Sequence, residues 1–132
     1  MSGEIQTSEL TGILYVDDEP LLTQMFQESL SRKGFKVFSA NSGLAALSVM
    51  REHAGDIAVV VTDITMPDMD GIDLARRLFL IAPHVPVLLI TGLQVSSVPP
   101  GCPENVAGTL EKPIRPKAVA ERLREMLSQS KQ

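Results

Sequence analysis

Five short apolar runs, most of them handing over to a segment of helical periodicity, constrain this chain more than any other feature. Strands that alternate with helices are the sequence sign of a parallel sheet, because parallel neighbours need a crossover connection and cannot be joined by a tight hairpin. The runs fall at residues 12–16, 35–40, 57–61, 85–90 and 107–110. The third, Ile57-Ala58-Val59-Val60-Val61, has no polar alternation, as expected of a central strand covered on both faces. The fourth carries Pro86 near its start, where a missing N–H donor does least harm.

Between the runs, the apolar spacing predicts helices. Asp18 is placed to cap the first, Pro20 suits its first turn, and Leu21, Leu22, Met25, Phe26 and Leu30 recur at helical intervals. Gly34 falls just past that helix, where glycine adopts a left-handed backbone at least cost. A second helix is expected over about 42–53 with Leu44, Leu47 and Met50 facing inward. A third follows the turn Met66-Pro67-Asp68-Met69-Asp70-Gly71 and carries Ile72, Ala75, Leu78 and Phe79. The last opens at Pro116 behind Arg115, a poor capping residue, and carries Val119, Leu123, Met126 and Leu127. Between 94 and 106 the pattern fails. Pro99, Pro100, Gly101 and Pro103 remove helical hydrogen bonds or raise the entropy cost of helix, so a short turn and an irregular loop are expected there.

A chain of 132 residues with 44% hydrophobic content suits one domain with a single core, here 12–128, between a flexible segment 1–11 and a tail 129–132. The net charge of -4 argues against a nucleic-acid surface spread over the domain, and pairs such as Arg76-Arg77 read as solvated helix faces. Cys102, the single cysteine, has no internal disulfide partner, which suits a reducing, cytoplasmic setting. The N-terminal segment lacks the apolar core of a secretory signal, and no apolar stretch approaches the ~20 residues of a membrane-spanning helix.

The polar residues of interest sit at the ends of the apolar runs, where open parallel sheets gather their functional groups. Asp17 and Asp18 follow the first, Asp63 the third, Thr91 the fourth and Lys112 the fifth. With strands one and three adjacent, three carboxylates converge, and like charges that close raise one another's proton affinity unless a cation sits among them. Mg²⁺ is the natural candidate because it prefers oxygen ligands and takes one or two carboxylates plus a phosphate oxygen. Asp63 is then a candidate nucleophile toward a phosphoryl group, with Lys112 spreading the developing charge and Thr91 offering a hydroxyl.

The pattern Val16-Asp17-Asp18-Glu19-Pro20, Thr62-Asp63-Ile64-Thr65-Met66-Pro67-Asp68-Met69-Asp70-Gly71, Thr91-Gly92 and Glu111-Lys112-Pro113 resembles the receiver domains of two-component signalling systems. The resemblance runs from about Gly12 to Leu127. It implies an α/β fold, a doubly wound parallel sheet of five strands in the order 2-1-3-4-5 flanked by five helices, the fourth short or irregular here. It implies that Asp63 accepts a phosphoryl group from a histidine kinase or phosphotransfer protein. Asp18, Asp63 and the Thr65 carbonyl would ligate Mg²⁺ directly and Asp17 through water, with Lys112-Pro113 in the cis form. Receivers commonly carry an aromatic residue three positions before the lysine, and Thr109 stands there instead. With the irregular 94–106 segment, that departure predicts weak dimerisation through this face and an output carried by ordering of 93–106 or by a phosphotransfer relay.

Two other functions fit parts of the pattern. A haloacid-dehalogenase-type phosphatase also uses a strand-end Asp and Mg²⁺, but usually places a second acid two residues on, where this chain has Thr65. A non-phosphorylated interaction module is opposed by the intact acidic pair, Asp63, Thr91 and Lys112. Asp68 and Asp70 read as turn formers, and His53 and His84 as surface residues without a metal partner.

Overall fold

A computed structural model describes residues 10–92 and 98–130. Its strands are β1 (Thr11–Val16), β2 (Phe35–Ala40), β3 (Val59–Asp63), β4 (Val87–Thr91) and β5 (Val106–Glu111). Its helices are α1 (Pro20–Arg32), α2 (Gly43–His53), α3 (Gly71–Ile81) and α4 (Pro116–Ser130), with a 3-10 turn at Ala54–Asp56. The strands form one parallel sheet in the order β2-β1-β3-β4-β5. The flanking helices number four among the described residues, not five. Residues 98–105 pass through turns without helix, as their proline content demands, and 94–97 of the expected irregular segment lie outside the described residues. Of the expected N-terminal segment, 1–9 lie outside the described residues, while Thr11 already belongs to β1; α4 extends through Ser130.

Alternating strand residues feed two cores. Leu14, Val16 and Val60 point to one face, where Ala46, Leu47 and Met50 of α2 and Leu74 and Leu78 of α3 cover them. Ile13, Tyr15, Val59 and Val61 point to the other, against Phe26 and Leu30 of α1 and Val119 and Leu123 of α4. β3 is buried along its whole length, and full burial of each of its valines is worth about 1.5–3 kcal/mol over exposure.

Three helical stripes differ from the expected ones. In α1, Leu21 and Met25 are exposed, and Thr23, Phe26 and Leu30 face the sheet. In α2, Leu44 is exposed and Ala46 takes the inward place beside Leu47 and Met50. In α3, Leu74 is fully buried while Ile72 and Phe79 are only half-buried. Apolar content alone does not fix the angular centre of a stripe; the small residues that let a helix approach a sheet do so as well.

The start of α1 departs from the expected cap, because its N-cap is Glu19, without a side-chain cap, and Asp18 does not cap it. The Glu19 N–H instead donates to Asp17 Oδ1 at 2.9 Å. Pro20 in the first turn has no N–H, so one of the donors a cap satisfies is absent. Gly34 takes φ +101°, the left-handed conformation expected after a helix.

Candidate phosphoryl and metal site

Every sequence-predicted site residue lies at the carboxyl edge of the sheet. Asp17 and Asp18 begin the β1–α1 connection, Asp63 ends β3, Thr91 ends β4, and Lys112 follows β5. β1 and β3 pair directly, with Val16 opposite Thr62, so their two exits are side by side. Carboxylate oxygens of Asp17, Asp18 and Asp63 all lie within 4.8 Å of one another. Asp17 and Asp63 are buried and Asp18 is exposed, which gives a pocket with one open side.

Lys112 Nζ donates to Asp63 Oδ2 at 2.9 Å. That hydrogen bond, then the negative charge around it, holds the lysine ammonium above its ordinary pKa, so it stays charged at neutral pH. Burial raises the pKa of Asp17; the Glu19 N–H works against the shift, and Asp63 and Asp18 add to it. Beneath the pocket, Tyr15 is stacked on Phe26 with ring centroids 4.6 Å apart. Burial, with Asp17 and Asp63 nearby, raises the tyrosine hydroxyl's pKa and keeps it neutral.

Thr91 is buried, and its carbonyl accepts the Lys112 N–H at 2.8 Å, which ties the β4 exit to the lysine. Thr65 is exposed, and its N–H donates to Asp63 Oδ1 at 3.3 Å. The Lys112-Pro113 peptide is cis. Oxygen donors in this number, two of the carboxylates buried and, among the described residues, only the Lys112 ammonium paired with them, fit a hard cation such as Mg²⁺.

The two aspartates read from the sequence as turn formers make helix contacts, and a cleft that the sequence does not signal lies beside the pocket. Asp70 caps α3 through the Asp73 N–H at 2.7 Å, a role its place before a helix signals. Asp68 accepts from the Gly43 and Leu44 N–H groups of α2 at 3.1 and 2.9 Å, across a sequence gap that hides the pairing. A cleft of about 500 Å³ opens beside the pocket, lined by Leu22, Met25, Ile90, Pro113 and Ile114 along with Asp17 and Lys112. His84 is exposed, and the His53 ring lies tilted against Phe38 with centroids 4.6 Å apart; neither joins the acidic cluster.

The fold and this edge define a doubly wound α/β protein with an acidic pocket at its strand ends. Residues 13–124 match the family model of the response regulator receiver domain, and the chain belongs to that family, the receivers of two-component systems. It is 32% identical over 126 residues to the sensor kinase CckA of Brucella abortus (strain 2308), across 92% of this chain and 13% of that protein. The chain therefore spans only a small part of that relative's length. Among solved structures, a response regulator receiver domain protein from Clostridium thermocellum aligns with a TM-score of 0.79 at 28% identity, over 92% of this chain and 98% of that one. The receiver domain of the hybrid histidine kinase CckA aligns with a TM-score of 0.74 at 31% identity, over 88% and 98%. Receiver membership decides against the haloacid-dehalogenase alternative.

Proposed function

We propose that Asp63 is the phospho-acceptor of this receiver and takes its phosphoryl group from a sensor histidine kinase or phosphotransfer protein. One observation carries the assignment: among the described residues, Asp63 both belongs to the acidic cluster and accepts from the Lys112 ammonium at 2.9 Å. A carboxylate oxygen of Asp63 forms the new bond to phosphorus as the bond from phosphorus to the donor nitrogen breaks, leaving an acyl phosphate and a free imidazole. Lys112 exchanges its carboxylate partner for a phosphoryl oxygen, and the Thr91 hydroxyl hydrogen-bonds another. Asp18, Asp63 and the Thr65 carbonyl would hold Mg²⁺ directly and Asp17 through water, and the cation would neutralise the crowded carboxylates and the incoming phosphoryl oxygens.

Autodephosphorylation through the same groups belongs to this reading, as does a cytoplasmic location. The described residues include no helix long and apolar enough to cross a membrane. The test is intact-mass measurement after incubation with Mg²⁺ and acetyl phosphate. One added phosphate is expected on the native chain and none on Asp63→Asn. An adduct that survives in Asp63→Asn overturns the assignment, and no adduct on the native chain favours a non-phosphorylated interaction module.

A further inference from the structure

The pocket's residues come from two chain segments, Asp17 and Asp18 between β1 and α1, and Asp63 at the end of β3 with Thr65 on the link from β3 to α3. The β1–β3 pairing ends at Val16 and Thr62, before either connection begins. Beyond that point both lean on one third segment, residues 40–44, where β2 passes into α2. On one side the Asp17 N–H donates to the Ala40 carbonyl at 3.2 Å. Asn41 Nδ2 donates both to the Asp17 carbonyl and to Thr23 Oγ1, each at 2.9 Å. On the other side the Asp68 carboxylate accepts the Gly43 and Leu44 N–H groups, and a Cβ at Gly43 would run into the Met69 side chain.

Helix α2 already has its own cap, Ser42, whose Oγ accepts the Ala45 N–H at 3.0 Å. The first N–H groups of a helix need partners, and here two of them are spent on Asp68, in the connection that follows Asp63 and carries Thr65. We propose that this junction is a brace that holds the two halves of the acidic pocket at ligand-binding distance, with Asn41 and Asp68 as positioning residues. The inference rests on the Mg²⁺-dependent phospho-acceptor reading above. Three carboxylates repel one another, and a brace outside the sheet ladder keeps their connections from spreading before a cation arrives. Neither residue touches the cation or the phosphoryl group; each acts through the backbone of a connection that does.

The experiment compares native chain, Asn41→Ala, Asp68→Ala, the double variant and Val119→Ala. The last carves a cavity under α4, away from both connections, and supplies a control for lost stability. Mg²⁺ affinity is read by titration calorimetry, stability by urea unfolding, and exchange of the Thr65 and Glu19 amides by NMR without metal. Each single variant is expected to bind Mg²⁺ roughly tenfold more weakly, the low end of what loss of a group that orients metal ligands costs. Faster exchange is expected at Thr65 in Asp68→Ala and at Glu19 in Asn41→Ala. The double variant should lose less than the product of the single losses, because both act on one brace. Affinity losses no greater than that of Val119→Ala, or fully multiplicative losses, overturn the proposal. If the native chain itself binds no Mg²⁺, it is the metal reading of the pocket that fails, and the brace fails with it.

Discussion

The connections leaving β3 and β4 both read as turns in the sequence and are held differently. Both carry turn-forming residues, Pro67, Asp68 and Asp70 in the first and Pro99, Pro100, Gly101 and Pro103 in the second. The first, residues 64–70, is stitched to three different elements. The Ile64 N–H reaches the Ile90 carbonyl at 3.0 Å, the Gly71 N–H returns to the Ile64 carbonyl at 2.7 Å, and Asp68 grips α2. Met66 and Met69 are buried in the core. The described part of the second, residues 98–105, rests mainly on α3. Arg76 donates to the Gly101 carbonyl at 3.0 Å, Asn105 Nδ2 donates to the Ala75 carbonyl at 2.9 Å, and Val98 and Cys102 pack at the margin of the core. Turn chemistry therefore says where a chain leaves regular structure, and the partners of its polar groups say how firmly it is held there. The firmly held connection is the one that follows the proposed acceptor.

Glycines in and beside the two connections offer the sharpest way to break this contrast. A Cβ at Gly71 would stand 2.5 Å from the Asp63 carbonyl oxygen, backbone that cannot swing aside as a side-chain tip can. Gly71→Ala is expected to cost about 3 kcal/mol in urea unfolding, the upper range for overpacking, and to disturb the acceptor. A neutral result would break the claim that this connection is rigid. Asn105→Ala should cost less, about 1 kcal/mol. It loses the hydrogen bond to α3 but also removes a buried Oδ1 that has no hydrogen-bond partner among the described residues. A loss as large as that of Gly71→Ala would mean that the second connection is as tightly bound as the first.

Gly101→Ala isolates backbone conformation, since φ is +84° and nothing lies within 4 Å of the added carbon. The expected cost is about 1 kcal/mol, from the left-handed conformation alone, and thermal unfolding checks it.

The smallest effect is the pH dependence that Asp68 confers. The Leu44 N–H, and with it the Gly43 N–H, holds this carboxyl below its ordinary value of 3.8. A depressed folded-state pKa stabilises the fold above the unfolded-state value, and the contribution disappears as pH falls from there through the folded-state value. Asp68→Asn should therefore lower stability slightly at neutral pH and flatten the acid limb below about pH 4. Because the group is exposed, solvent keeps this contribution small. Identical acid limbs for the two chains would remove Asp68 as the anchor.

Much of the site is legible in the sequence, because receiver chemistry is written at strand ends and strand ends are marked by where apolar runs stop. Asp17, Asp63, Thr91 and Lys112 need only that rule and the adjacency of β1 and β3. Helix faces are less legible. Leu21, Met25 and Leu44 are apolar residues at helical spacing and still face solvent, since a stripe is centred by what the sheet offers it. The start of α1 differs from the expected one: Asp18 does not cap the helix, and the fold sends the Glu19 N–H to Asp17.

What the sequence determined by itself is the layered α/β plan, the breakdown of helix near Pro99, Pro100 and Pro103, and the residues at the strand exits. All of these follow from local periodicity and from the fixed backbone limits of proline and glycine. Only the tertiary structure decided how closely the three carboxylates converge, within 4.8 Å, that Lys112 pairs with Asp63 at 2.9 Å, and that Asp68 reaches α2. Those pairings join residues such as Asp63 and Lys112, 49 positions apart, and a hydrogen bond made over that separation leaves no trace in the spacing of either partner.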